Sequence, residues 1–301
     1  MKTKNINICI CIAALCVCFT FMCCGSKSNN AEVAVGNESE MSNQTSADLP
    51  LNISIYLDLS DRLKRDLTPS QKDRDTAIVG YIADYFKAQT LGPKILQSKN
   101  CMKVFFYPAP EDTQIATLAG DLSVDMQKHQ GVNKRVALEN MRSKFNENLN
   151  LIYDMAIQAN KFPGCDIWDF FSNKNVDVQC IRKGFRNILV ILTDGYLYDE
   201  NHKVLKGESA TYITPTMLKN PNFSLIVTRT GLENLEVMIL EVNPYDMNHR
   251  DRLVSVLKNW LQNMGVKHEN ITIAETALPT ITQTVIESFL AKSNDSFSGH
   301  I

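Results

Sequence analysis

The sequence lacks the short motifs that mark most well-known enzyme sites. Its 301 residues contain no glycine-rich phosphate loop, no Gly-x-Ser-x-Gly nucleophile motif and no His-Glu-x-x-His zinc motif. It also lacks a charge bias, because 31 Lys and Arg side chains nearly balance 33 Asp and Glu side chains. A net charge of −2 gives no overall bias toward nucleic acid, so we expect no nucleic-acid partner.

Cysteine is scarce beyond the first 24 residues. Six of the nine cysteines lie in that segment, which leaves Cys101, Cys165 and Cys180 for the rest of the chain. No pair has Cys-x-x-Cys spacing, and no zinc-finger spacing occurs. Cys165 and Cys180 are close enough in sequence to form a disulfide across a loop in an oxidising compartment. Two buried free thiols are the alternative, and the sequence leaves both open.

The N-terminal segment has the features of a secretory signal. Lys2 and Lys4 precede an apolar run without charge, from Ile6 to Cys24. The end of this run, Phe-Met-Cys-Cys-Gly, resembles a bacterial lipoprotein signal, in which the chain is cut before a cysteine that becomes lipidated. Because Cys23 places a small side chain before the cut, residues 1–24 are predicted to be the signal, with Cys24 as the lipidation site.

This resemblance implies attachment to a membrane through an N-terminal lipid. We expect the folded part to lie in the cell envelope, at the outer membrane. A plain signal peptide and an uncleaved membrane anchor are the alternatives.

The rest of the chain divides into a linker, one domain and a short tail. Residues 25–49 are rich in Ser, Asn, Glu and Ala, which is typical of a flexible linker. Residues 50–292 alternate strand and helix patterns, with the final helix opening at Pro279, and residues 293–301 form the tail. Strands are predicted at residues 52–57, 103–107, 188–192, 223–227, 237–242 and 271–273. This pattern predicts an α/β fold, with a doubly wound, mainly parallel sheet flanked by helices.

Two of the predicted strands end in aspartate. The strand at 52–57 runs into Asp58 and Ser60, and the strand at 188–192 runs into Asp194. If the two strands are parallel neighbours, these oxygen-bearing side chains converge at one edge of the sheet, where ligands bind in such folds. Hard oxygen ligands suit Mg²⁺ or another divalent cation. The alternative is that both aspartates cap helices or turns.

These residues also resemble a known family. The run Asp58-Leu-Ser60-Asp61-Arg62 resembles the Asp-x-Ser-x-Ser motif of von Willebrand factor A domains, and Thr193-Asp194 resembles the segment of that family's second aspartate. The resemblance implies a metal-ion-dependent adhesion site. In that family two serines and a threonine bind the cation directly, aspartates bind it directly or through water, and an acidic side chain of a protein partner often completes the shell.

The sequence departs from this pattern at two positions. Arg62 replaces the second serine, and a guanidinium pointing inward would repel a divalent ion. Asn146 or Asn148 stands near the place of the family's threonine, and an amide oxygen can serve as a ligand. Arg62 also allows a different arrangement, in which it pairs with Asp58 or Asp194 and replaces the metal.

The expected function is therefore binding rather than catalysis. We expect a lipid-anchored module that engages a protein or glycan partner at the edge carrying Asp58, Ser60 and Asp194, with a divalent cation such as Mg²⁺ as cofactor. One alternative is a metal-dependent hydrolase that uses Asp58, Asp61 and Asp194 around the ion. Another is a structural envelope protein with a degenerate site.

Overall fold

The computed structural model describes residues 49–195, 229–243 and 250–295. The predicted signal with Cys24, the predicted linker before residue 49 and the predicted strand at 223–227 lie outside these residues, as does the end of the predicted tail. None of the described helices combines the length and apolar character that crossing a membrane requires.

The described chain forms one six-stranded sheet. Its strands are β1 (Leu51–Leu57), β2 (Cys101–Phe106), β3 (Ser123–Asp125), β4 (Arg186–Leu192), β5 (Leu235–Val242) and β6 (Ile271–Glu275). The order is β3-β2-β1-β4-β5-β6, and β3 alone among the described strands runs antiparallel to its neighbour. β1 and β4 are buried along their whole length, as expected of central strands covered on both faces. The predicted α/β fold with a mainly parallel sheet is confirmed.

Helices cover both faces of the sheet. They are α1 (Gln71–Thr90), α2 (Thr113–Gly120), α3 (Asn133–Ala159), α4 (Ile167–Ser172), α5 (Asn175–Cys180), α6 (Arg250–Asn263) and α7 (Pro279–Asp295). Apolar side chains of α1, α3 and α7 pack on one face of the sheet, and those of α4, α5 and α6 pack on the other. Because side chains alternate along a strand, Leu57 and Leu192 contribute to the first core, and Tyr56 and Ile191 contribute to the second.

The first helix begins later than its sequence suggests. Thr68 followed by Pro69 has the pattern of an N-cap with proline at the first helical position, but Ser70 is the N-cap. The Ser70 Oγ accepts a hydrogen bond from the backbone N–H of Asp73 at 3.2 Å. Pro279 does open α7, as the same pattern predicts there.

The strand order reverses between β1 and β4. The chain proceeds from β1 to β2 and β3 on one side, and from β4 to β5 and β6 on the other. The two central strands are parallel and in register, with Leu57 opposite Leu192. The backbone N–H of Asp58 donates to the carbonyl of Leu192 at 3.0 Å. The prediction that these two strands lie side by side is confirmed, and their ends meet at the position where α/β sheets bind ligands.

The disulfide between Cys165 and Cys180 is not formed. Both cysteines, like Cys101, are buried free thiols. Cys165 follows Gly164, which pairs with Leu59 beyond the end of β1, whereas the carbonyl of Cys180 accepts a bond from Asn52 near the start of β1. Asn52 and Leu59 are seven residues apart in extended chain, a separation of about 20 Å. A disulfide needs Cα atoms within about 7 Å, so the pairing is wrong.

Candidate functional site

The ends of β1 and β4 are joined through their side chains. The Thr193 hydroxyl donates a hydrogen bond to Asp58 Oδ2 at 2.8 Å. The same hydroxyl oxygen accepts from the backbone N–H of Gly195 at 3.2 Å. Thr193 therefore bridges the two strand ends and holds one oxygen of the Asp58 carboxylate in place.

A short turn after β1 sets the direction of Arg62. Ser60 is the N-cap of a 3-10 turn from Asp61 to Lys64, and its Oγ accepts from the backbone N–H of Arg62 at 3.4 Å. Asp61 and Lys64 face solvent in this turn, whereas Arg62 and Leu63 are buried. A turn of about three residues places neighbouring side chains on different sides, so Arg62 points into the protein.

The guanidinium of Arg62 lies against the first predicted metal ligand. Its side chain is 1% exposed. The Arg62 Nε donates to the carbonyl of Asp58 at 3.1 Å and lies 3.6 Å from Asp58 Oδ2. Its Nη2 donates to Asp75 Oδ2 at 2.6 Å and to the carbonyl of Leu192 at 3.2 Å. The alternative in which Arg62 pairs with Asp58 is therefore the observed one.

Asp75, near the start of α1, is the main partner of Arg62. Its Oδ2 also accepts from the hydroxyl of Tyr153 at 2.9 Å, and its Oδ1 accepts from Gln71 Nε2 at 2.9 Å. Sequence reasoning did not include Asp75, Gln71 or Tyr153 in the site. Helical spacing does place Gln71 and Asp75 four residues apart, but the sequence gives no signal that Arg62 faces them.

Burial and charge oppose each other in this pair. Burial disfavours the charged Arg62 guanidinium, but the carboxylates of Asp75 and Asp58 outweigh that cost and raise its pKa. Burial also raises the pKa of Asp75, against the opposing effects of Arg62, Gln71 and Tyr153. A buried pair of this kind depends on both partners, since either alone is a buried charge without compensation.

Asp194 pairs with a different arginine, Arg65. Arg65 Nη2 lies 3.0 Å from Asp194 Oδ2, and Arg65 Nη1 donates to the carbonyl of Asn243. The side chains of Arg65 and Asp194 are 13% and 12% exposed, so this pair lies nearer the surface than Arg62. The arginine observed 3.0 Å from Asp194 is therefore Arg65, and the Asp194 charge also contributes to the raised pKa of Arg62.

The two asparagines predicted as weak ligands do not join this cluster. The Asn148 amide donates to the carbonyl of Leu118 at the end of α2, at 3.2 Å. Tyr153 is the α3 residue that reaches the site, and Asn148 and Asn146 lie about 7 and 10 Å earlier along the helix axis.

These residues do not fit a divalent cation. The guanidinium of Arg62 stands beside Asp58, and that of Arg65 stands beside Asp194. A divalent ion placed between the two carboxylates would face two fixed positive charges at close range. Among the described residues, no group of three or more His, Cys, Asp and Glu side chains is arranged to hold a metal. Asp58 and Asp194 lie at the neighbouring ends of β1 and β4, and the carboxylate of each pairs with an arginine, whereas the Ser60 Oγ accepts a hydrogen bond from the backbone N–H of Arg62.

A strained residue on β5 extends the buried network. Glu241 adopts φ +66° at a register shift between β5 and β6, and its side chain points toward α1. Its Oε2 lies 3.6 Å from Arg74 Nη1 and 3.4 Å from Gln71 Nε2, and its Oε1 has no hydrogen-bond partner among the described residues. Burial and the nearby Asp75 charge raise the pKa of Glu241, and Arg74 opposes them.

Glu241→Gln is expected to flatten the pH dependence of stability. Because the pKa of Glu241 is higher in the folded state than its usual 4.5, the folded state binds this proton more tightly than the unfolded state does. The stability that protonation supplies is present below the unfolded pKa and is lost as the pH rises through the folded pKa. Urea unfolding at a series of pH values from acidic to neutral measures this difference.

The exposed Glu287→Gln variant is the control for the loss of a surface carboxylate. Relative to this control, Glu241→Gln should gain stability as the pH rises from acidic to neutral. An unchanged slope in Glu241→Gln would show that its carboxyl does not titrate differently on folding.

Comparison with known proteins assigns no family. No protein-family model matches the sequence, and no curated protein matches it. Among solved structures, it is similar to an aerotolerance-related membrane protein from Bacteroides fragilis (13% identity, 80% of this chain and 99% of that chain, TM-score 0.38). It is also similar to BatB from Bacteroides thetaiotaomicron (14%, 82% and 100%, TM-score 0.38) and to the pilus adhesin SpaC from Lactobacillus rhamnosus GG (11%, 84% and 30%, TM-score 0.42). Matches at this level carry no functional assignment, and the α/β fold is established by the sheet itself.

Proposed function

We propose that this chain is a binding module of the von Willebrand factor A type, held at the cell envelope by an N-terminal lipid on Cys24. It engages a protein or glycan partner at the carboxyl edge of its sheet, and it does so without a divalent cation. The buried guanidinium of Arg62 is the observation that carries the independence from a cation. It supplies, within the fold, a positive charge beside Asp58 at the edge where α/β sheets commonly bind ligands.

The accessible chemistry of the edge is mixed in charge. The Arg62 side chain is buried, so a partner cannot contact it. Asp61 and Lys64 are exposed, and the Arg65–Asp194 pair is partly exposed. A partner would therefore meet donors and acceptors of both signs, which suits hydrogen-bonded recognition of a polar protein surface or a glycan.

No chemical step is proposed at this edge. A metal-dependent hydrolase would need carboxylates available to an ion and a general base within reach of its substrate. Asp58 and Asp75 instead accept bonds from Thr193, Arg62 and Tyr153. No observation favours the hydrolase over the binding module.

Titration with Mg²⁺ and Mn²⁺ tests the cation-independent part of the proposal. Calorimetry of the purified protein is expected to give no binding heat, and its melting temperature should be the same with Mg²⁺ and with a chelator. Asp58→Ala is the control for any heat that is observed. Saturable heat in the wild type that disappears in Asp58→Ala would mean that the site takes up a cation after all.

Site-directed photocrosslinking tests the binding edge. A photoreactive side chain at Asp61 should yield a defined adduct in intact cells, and the same group at the exposed Glu287 on α7 should not. Because Lys64 is exposed beside Asp61, Lys64→Glu should weaken that adduct. If positions 61 and 287 give the same adducts, or neither gives any, the edge binds no partner and the module has a structural role.

A further inference from the structure

A polar cleft lies at the amino-terminal edge of the sheet, opposite the edge that carries Asp58 and Asp194. Its volume is about 870 Å³, within the range of ligand-binding clefts. It lies between the start of β1, the loop after α1 and the loop before β4. Four basic residues line it, and no Asp or Glu is among its described lining residues: Lys94, Lys99, Lys183 and Arg186.

Three of these cations are available to a ligand. The fourth, Arg186, is buried and bonded to Glu236 and to the carbonyl of Leu290. Lys94, Lys99 and Lys183 are exposed and form no ion pair with another described residue. The chain as a whole has a net charge of −2, so the cleft is a local concentration of positive charge that would attract an anion.

Hydrogen bonds from other parts of the fold hold the loop after α1, which forms one wall of the cleft. The buried Lys134 donates to the carbonyls of Leu96 and Ser98, both at 2.9 Å. Asn100 accepts from the backbone N–H of Leu51 at 2.9 Å and donates to the Thr90 hydroxyl at 2.9 Å. These contacts fix the loop that carries Lys94 and Lys99, so little ordering is needed when a ligand binds.

Exposed leucines stand beside the lysines. Leu91 is 40% exposed and Leu96 is 64% exposed on the loop that also carries Lys94 and Lys99. Val132, the N-cap residue of α3, is also largely exposed. Protruding apolar side chains among basic ones are typical of protein surfaces that lie in a membrane interface.

The N-terminal segment joins the fold at the same place. Leu49 and Pro50 line the cleft, so the chain before residue 49 is attached to the described fold at this edge. Under the proposed function, residues 24–48 connect this edge to the lipid on Cys24. The edge with the basic cleft is then the one nearest to the tether and to the membrane.

We propose that this cleft binds the phosphate-bearing headgroup of an anionic membrane lipid, while Leu91 and Leu96 enter the interface. The membrane as the source of the phosphate rests on the tether in the proposed function. The exposure of the lysines and leucines at this edge is observed whether or not the chain is lipidated. The domain would thus sit with its amino-terminal edge on the bilayer and present the Asp58–Asp194 edge away from it.

Vesicle co-sedimentation tests this inference with a chain that begins at residue 43. Residues 43–301 form a compact unit that contains all the described strands and helices, and this unit lacks the lipidation site. Binding is expected to vesicles of equal parts phosphatidylglycerol and phosphatidylcholine, but not to phosphatidylcholine alone. Replacing Lys94, Lys99 and Lys183 by Gln should weaken binding on the order of one-hundredfold at low ionic strength. Leu96→Ser should weaken it about tenfold.

The matched control removes three lysines outside the cleft, by replacing Lys144, Lys161 and Lys258 with Gln. Equal binding by the two triple variants, or binding to phosphatidylcholine alone, would overturn the proposal. So would saturable binding of soluble glycerol phosphate without vesicle binding, since the ligand would then be a free phosphate compound. Failure here leaves crosslinking at Asp61 unaffected, because that surface lies at the other end of the strands.

Discussion

Replacing Arg62 by leucine is expected to lower the free energy of unfolding by about 3–5 kcal/mol. The substitution removes the positive charge that Asp75 and Asp58 face inside the protein, and Leu cannot donate to the carbonyl of Leu192. The two carboxylates would remain buried near each other without a cation. Urea unfolding followed by circular dichroism measures the loss.

The same substitution at an exposed ion pair provides the control. Arg142 pairs with Asp84 at the surface, where both side chains are nearly half exposed, so Arg142→Leu should change stability by about 0–1 kcal/mol. Adding Asp75→Asn to Arg62→Leu should recover part of the loss, because it removes one uncompensated charge. A loss in Arg62→Leu no larger than in Arg142→Leu would show that the buried pair contributes little.

Arg62→Ser separates the charge from the shape of the site. This variant restores the Asp-x-Ser-x-Ser pattern and removes the guanidinium that lies beside Asp58. Mg²⁺ is expected to recover part of the lost stability in Arg62→Ser and none in Arg62→Leu. Equal responses of the two variants to Mg²⁺ would mean that the remaining oxygens do not form a cation site.

Gly195→Ala is expected to cost about 2–5 kcal/mol, from backbone strain and overpacking together. Gly195 follows Asp194 and adopts φ +101°, which side-chain-bearing residues rarely adopt. A Cβ at this position would lie 2.9 Å from Leu253 Cδ2 and 3.1 Å from Val242 Cγ1. Both neighbours belong to the packed core between the sheet and α6, so they have little room to move.

Gly131→Ala is the matched control for the strain alone. Gly131 also has a positive φ of +52°, but a Cβ there would meet no atom within 4 Å. We expect a loss of about 1 kcal/mol for this variant, and the excess in Gly195→Ala measures the contact with Leu253 and Val242. If thermal or urea unfolding gives equal losses for both glycines, the close approach at Gly195 is relieved by small shifts.

Gly195 also matters for the geometry of the edge. Its N–H donates to Thr193, which in turn holds Asp58, and the carbonyl of Asp194 accepts from the backbone N–H of Asn243. After β4, Thr193 contacts the end of β1 and Asp194 contacts the end of β5. Gly195 follows these two residues in a backbone conformation that only glycine adopts easily. The Asp-Gly pair is a turn signal in the sequence, and the structure shows what the turn positions.

The sequence by itself determined the architecture and the place of the candidate site. Apolar runs such as 188–192 predict central strands, because a strand covered on both faces must be apolar throughout. An aspartate directly after such a strand falls at the carboxyl edge of a parallel sheet whatever the details of the loops. The meeting of Asp58 and Asp194 was predictable from these local properties together with strand adjacency.

Only the tertiary structure decided what the site contains. Arg62 points inward because of the turn that Ser60 caps, and its partners Asp75 and Leu192 lie 13 and 130 residues away in sequence. Glu241 reaches α1 only because a bulge in β5 turns it there. Side-chain direction in turns and bulges depends on such long-range contacts, and spacing along the chain does not encode them. For that reason the sequence predicted a metal cation beside Asp58 and Asp194, whereas in the structure the positive charges there are arginine side chains.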